Sequence, residues 1–118
     1  MAGLTSTTKN LMLGALSGSV TYFSLHTADP GASGTAEVSG APYTREQASW
    51  ASASGGTVAT NANVAFDVPG STTITHLGYW TALTSGTFLG SRALDTQQTF
   101  ATAGTYTLSS GNITESLS

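Results

Sequence analysis

The sequence predicts an all-β protein, a β-sandwich of jelly-roll type with a short N-terminal helix or arm, on three observations. The 118 residues include 16 Ser, 21 Thr and 14 Gly, against three basic and six acidic side chains. Threonine favours pleated strands and glycine favours turns. Apolar and polar residues alternate over short runs, as half-buried strands require. Turn signals recur every roughly eight to twelve residues, the spacing of sandwiches, and divide the chain into about eight or nine short strands.

Residues Thr5–Leu16 (TSTTKNLMLGAL) are the one helical candidate. Thr5 or Ser6 can cap its start, Leu11, Met12 and Ala15 would share its buried face, and Gly18 would end it. The expected division is therefore 1–18 as helix or docking arm and 19–118 as sandwich. Val20–Thr27 reads as the first strand, with Phe23 and Leu25 on one side and Tyr22 and His26 on the other. Ala28–Pro42 gathers Gly, Pro, Ser and Asp and reads as a long loop. Gln47–Ser54 alternates around Trp50, and Gly55–Gly56 turns it into Thr57–Asn61. Val64, Phe66 and Val68 alternate before Pro69–Gly70. Thr72–Ala82 is the strongest strand; strict alternation puts Ile74, His76, Gly78 and Trp80 on one face, Leu77 and Tyr79 on the other. That leaves at least one of Tyr79 and Trp80 exposed or at an interface. Phe88–Leu94, Gln97–Phe100, Thr105–Leu108 and a run carrying Ile113, Glu115 and Leu117 complete the set. The expected core is Phe23, Leu25, Trp50, Val64, Phe66, Ile74, Leu77, Trp80, Phe88, Leu108 and Ile113.

The bulk properties exclude several function classes. Soluble domains carry about a quarter charged residues; here Lys9, Arg45 and Arg92 are the only basic ones. A basic stripe for nucleic acid is missing. The apolar stretch Leu11–Leu16 is far short of the ~20 residues that span a bilayer and too short for a signal-peptide core, so neither membrane attachment nor ordinary export is expected. Without cysteine there are no disulfides, thiolates or cysteine-type zinc sites.

No nucleophile-elbow, dinucleotide, P-loop or H-E-x-x-H motif occurs. His26 and His76, with Asp29 or Asp67, could in principle hold a metal, but nothing in their spacing demands it. The acids Asp29, Glu37, Glu46, Asp67, Asp95 and Glu115 form no evident catalytic pair. Asp29-Pro30-Gly31 reads as a turn, and Arg45–Glu46 as a solvated pair or a partner for an acid across an interface. Trp50, Trp80, Tyr22, Tyr43, Tyr79 and Tyr106 could stack on sugars, but a sandwich short of Leu and Ile needs its aromatics inside. No catalytic, cofactor or metal site is expected.

Three stretches carry a resemblance: Tyr22–Trp50 (YFSLHTADPGASGTAEVSGAPYTREQASW), Ile74–Leu94 (ITHLGYWTALTSGTFLGSRAL) and Phe100–Ser118 (FATAGTYTLSSGNITESLS). With the S-L-H-T-A-D-P-G run as the most specific part, the chain resembles a small-protein family of tailed bacteriophages and prophages, labelled tail fibre or minor tail proteins. The resemblance implies a non-enzymatic structural protein of the virion surface, made in the host cytoplasm and released by lysis. A fibre shaft needs heptads or a β-helix repeat, and this chain has neither. Capsid decoration is therefore the favoured expectation, and the alternative is a minor tail, tail-tip or fibre-associated protein that binds host-surface glycan. Expected partners are other virion proteins and further copies of the chain, as a homo-oligomer, most plausibly a trimer, because few like charges oppose side-by-side packing.

Overall fold

The computed structural model describes residues 4–109 and the strand at 114–116. One helix precedes eight strands: α1 Ser6–Ser19, β1 Tyr22–His26, β2 Glu46–Gln47, β3 Thr57–Ala59, β4 Val64–Val68, β5 Thr72–Trp80, β6 Phe88–Phe100, β7 Gly104–Leu108 and β8 Thr114–Ser116. The protein is all-β apart from α1, as its composition predicts, and every pairing is antiparallel. Strands β2-β1-β5-β6 make one sheet, while β3-β8 and β4-β7 are two-stranded. The pairs β5·β6, β4·β7 and β3·β8 nest inside one another, as in one long hairpin folded over itself.

Thr5 caps α1 through its side chain, which accepts from the Thr8 N–H at 3.3 Å. Thr5→Ala should lower unfolding free energy by about 1 kcal/mol in chemical denaturation. The expected helix face is corrected. Leu13 is buried and Leu16 packs on the core, whereas Leu11 and Met12 are 71% and 40% exposed and Ala15 is also exposed. Nearly every position from 11 to 16 is apolar, so periodicity could not choose between faces. Gly18 does not end the helix, which runs on to Ser19 and closes with the Val20 N–H donating to Leu16 O at 2.9 Å.

In β4, Val64, Phe66 and Val68 point inward while Ala65 and Asp67 face solvent. Register sets Val64 opposite Leu108 and Phe66 opposite Tyr106. The main core joins these to Val20, Phe23, Leu25, Val38, Ile74, Leu77 and Tyr79. Of the expected core, Trp50 and Phe88 are only half-buried, and Ile113 lies outside the described residues. Two strand expectations change. Only Glu46–Gln47 of the region before Ser54 is strand, with isolated bridges at Trp50 and Ser54. The runs at 88–94 and 97–100 are one continuous strand, β6.

The strict alternation of β5 also fails. Its register with β6 shifts between Ile74 and His76, and parity changes there: Ile74 joins Leu77 and Tyr79 in the main core instead of sharing a face with Trp80. A register irregularity inserts extra residues and re-aims side chains. Strict alternation left at least one of Tyr79 and Trp80 exposed or at an interface; neither is exposed, because β1 and β5 are covered on both faces within the chain. The second cover is the 28–45 segment, a strap folded back over Ser24, His26, Gly78 and Trp80. It is pinned by Val38 N–H to Leu25 O at 2.9 Å and Thr27 N–H to Ala36 O at 3.0 Å.

Candidate functional site

The residues carrying chemistry converge beneath and beside the strap. Alternation along β1 turns Ser24 and His26 away from the main core, and both are fully buried. The Trp80 Nε1–H donates to Ser24 Oγ at 2.8 Å, and Ser24 Oγ lies 2.6 Å from His26 Nε2. His26 Nδ1 is 2.8 Å from Thr35 O. A carbonyl only accepts, so Nδ1 carries the proton, Nε2 accepts, and the Ser24 hydroxyl donates to it. The result is one directed chain from Trp80 through Ser24 and His26 to the strap backbone. A serine–histidine contact invites comparison with a hydrolase, but here no solvent reaches either group. A backbone carbonyl occupies the position of the orienting carboxylate. The arrangement orders the strap.

Burial is the leading cause that lowers the His26 pKa from 6.5; Thr35 O and Glu37 oppose it, while His76 and Arg45 reinforce it. Unfolding therefore takes up a proton at mildly acidic pH. The stability this neutral histidine supports is fully present above pH 6.5 and is lost as pH falls from there through the lower folded value. Denaturation midpoints should drop across that window, and His26→Gln should flatten the drop.

A second cluster seals the strap edge. Arg45 holds Glu37 side-on, with Nε to Oε2 and Nη2 to Oε1 both at 3.0 Å. Its Nη1 donates to Ala82 O at 3.1 Å and Ser85 O at 2.9 Å. The guanidinium also lies 3.6 Å from the Trp80 ring centroid, a stacked cation–π contact. Tyr43 donates to Glu37 Oε2 at 2.8 Å and accepts from the Leu25 N–H at 3.0 Å. Burial, foremost, pushes the Tyr43 phenol far above its ordinary range. The sequence expectation for Arg45 is corrected here: its partner is Glu37 within the same chain, and Glu46 instead accepts from Thr44 Oγ1 at 3.3 Å.

The remaining candidates scatter. His26 and His76 are cross-strand partners. Asp29 is exposed, capping the Gly31 N–H at 2.9 Å, and Asp67 faces solvent on β4. Among the described residues no three histidine or acidic side chains cluster as metal ligands. Asp95 is exposed on β6. Glu115 lies opposite Val58, its side chain outside the described residues. The six aromatics do not form a platform. Trp50 and Tyr79 pack with Phe23 at centroid distances of 5.6 and 5.8 Å, Trp80 sits under Arg45, and Tyr22, Tyr43 and Tyr106 are separate and half-buried. No helix among the described residues is long and apolar enough to cross a membrane. Beside the Arg45–Glu37 pair an open cleft of about 460 Å³ lies between the strap and the 83–85 turn.

In this charge-poor antiparallel β domain, Ser24, His26 and Arg45 are engaged in holding the strap and the 82–85 turn in place. The chain belongs to the family described as Podophage GP4 fiber I protein gp80, whose model matches residues 6–116. It is thus a member of a bacteriophage fibre-type family and a virion component, as the resemblance implied. No curated protein matches it.

Proposed function

We propose that the protein is a non-enzymatic structural subunit of a tailed-phage virion, associated with the tail fibres. The observation carrying this reading is the fibre-family match over nearly the whole chain. It favours the tail alternative over capsid decoration, which rested on the lack of shaft repeats. A compact subunit without heptads suits a fibre tip or collar better than a shaft. The nesting of β5·β6, β4·β7 and β3·β8 is the support for the jelly-roll reading of the sandwich, which belongs to this proposal. Quantifying the protein in purified tailless capsids and in isolated tails tests the placement. Recovery with tails supports it, and full occupancy on tailless capsids overturns it.

The proposal includes a homo-oligomer, with a trimer expected, and contact with the particle through the outer face of α1. That face exposes Leu11 and Met12, and α1 has no acid in its first turn or base in its last. Deleting residues 1–16 would also remove buried Leu13, so point variants are the cleaner probe. Leu11→Glu with Met12→Glu should preserve the circular dichroism spectrum while abolishing incorporation into particles. Unchanged incorporation would move the contact elsewhere, the 28–42 loop being next in line. Light scattering of the purified protein reads the oligomeric state.

A further inference from the structure

We propose that residues 28–36 of the strap form an acid-released lobe: a proton on His26 Nε2 lifts them off β1 and β5 while the rest of the fold stays closed. The lobe moves as a unit, because Pro30 O accepts from the Gly34 and Thr35 N–H groups, both at 3.1 Å, and from Thr35 Oγ1 at 3.2 Å. Its hydrogen bonds to the sheet join Thr35 O to His26 Nδ1 and Ala36 O to the amide and hydroxyl of Thr27. Between these it lies flat on two rings. A Cβ at Gly34 would stand 2.7 Å from the Trp80 indole and 2.9 Å from Phe88. Ala36, where the lobe meets the rest of the strap, holds a φ of 63°, a left-handed conformation that strains a residue with a side chain. Opening relieves it.

One proton works the latch. Ser24 Oγ accepts from the Trp80 indole, so its single hydrogen goes to His26 Nε2. A protonated Nε2 would confront that hydrogen across 2.6 Å, and turning the hydroxyl away strands it in a dry site. The surrounding charges do not rescue the imidazolium. Within the strap, Glu37 lies opposite His26 and favours its charge, but Glu37 is already matched by Arg45, which opposes it. The Tyr43 phenol stays protonated, and His76, the cross-strand partner on β5, also opposes the charge. From β6 the Phe88 ring packs at 6.2 Å. Asp29, the charged side chain of the lobe, is exposed and bonded to the Gly31 N–H. Water must therefore reach the ring, and the lobe is the part that yields. The 37–45 segment stays in place, since Arg45 ties it to Ala82 O and Ser85 O through bonds that do not involve His26.

The two indoles of the full chain report the lobe and the main fold separately, wherever the subunit sits in the virion. Trp80 Nε1–H is bonded to Ser24 beneath the lobe, and Trp50 Nε1–H to Val20 O at 3.1 Å beside the main core. Hydrogen exchange at both is followed by NMR at about pH 7.5 and about pH 5. The ratio of the Trp80 rate to the Trp50 rate, in which the intrinsic effect of pH cancels, should rise about tenfold on acidification, with the far-UV circular dichroism unchanged. His76→Gln should keep that rise and His26→Gln should lose it. A constant ratio, an equal loss of protection at both indoles, a rise abolished by His76→Gln or one retained in His26→Gln would each overturn the proposal. Should His26→Gln fail to fold, the parent and His76→Gln still decide it.

Discussion

Gly78→Ala should destabilise the protein by about 3–5 kcal/mol, combining overpacking with the loss of buried hydrogen bonds. A methyl group at this position would drive into Ser24 Oγ and His26 Nε2, the two atoms that relay the buried hydrogen-bond chain. Both side chains sit between β1 and the strap and have nowhere to retreat. Moving either leaves the Trp80 indole or the imidazole without its partner in a dry interior. Total stabilities of domains are about 5–15 kcal/mol, so the variant should unfold at a much lower denaturant concentration or fail to accumulate. Gly78→Ala combined with Ser24→Ala removes one of the clashing atoms and should recover part of the loss. A denaturation midpoint for Gly78→Ala close to that of the parent would show that the strap does not pack as described.

Arg45→Met should cost up to about 3–5 kcal/mol, the penalty for stripping one partner from a buried ion pair being the ceiling for this half-buried one. The Arg45 side chain is only 10% exposed, and its removal leaves Glu37 uncompensated and the carbonyls of Ala82 and Ser85 without donors. Arg45→Lys should be nearly as harmful, since an ammonium cannot span the carboxylate side-on and cover the Trp80 face at once. Glu37→Gln in the Arg45→Met background should restore part of the stability, because it removes the stranded charge. Equilibrium unfolding of the parent, Arg45→Met, Glu37→Gln and the double variant closes the cycle; additive losses would mean that the pair is not coupled.

The parts of the fold written in local chemistry were readable from the sequence. The cap could be narrowed to Thr5 or Ser6, and Thr5 is the one used, because a β-hydroxyl three residues before an amide is a self-contained geometry. Val64, Phe66 and Val68 announced their strand because one face of β4 is wet and the other dry. The candidate site was not legible in this way. Glycine and serine in the 28–42 region signal a loop, but nothing local says that it folds back over β1. Once it does, β1 and β5 are buried on both sides and their alternation no longer separates core from solvent. Arg45 and Glu37 lie eight residues apart with a turn between them, whereas the neighbouring Glu46 was the obvious partner on sequence distance. The shift in β5 at Ile74–His76 depends on the length of β6 opposite it, which no window of β5 contains.

The nested pairing has a consequence for the order of events during folding. Closing Trp80 onto Phe88 spans a short loop, whereas joining Thr57 to Ser116 closes a far longer stretch of chain. Loop-closure entropy rises with separation, so the inner hairpin zips first and β3·β8 shuts last. Helix α1 rests on β3 and β8 and finds its seat only then. Leu11 and Met12 are therefore presented by a completed chain alone. Assembly through that surface would carry its own proofreading: an unfinished subunit has no formed ledge with which to join the particle.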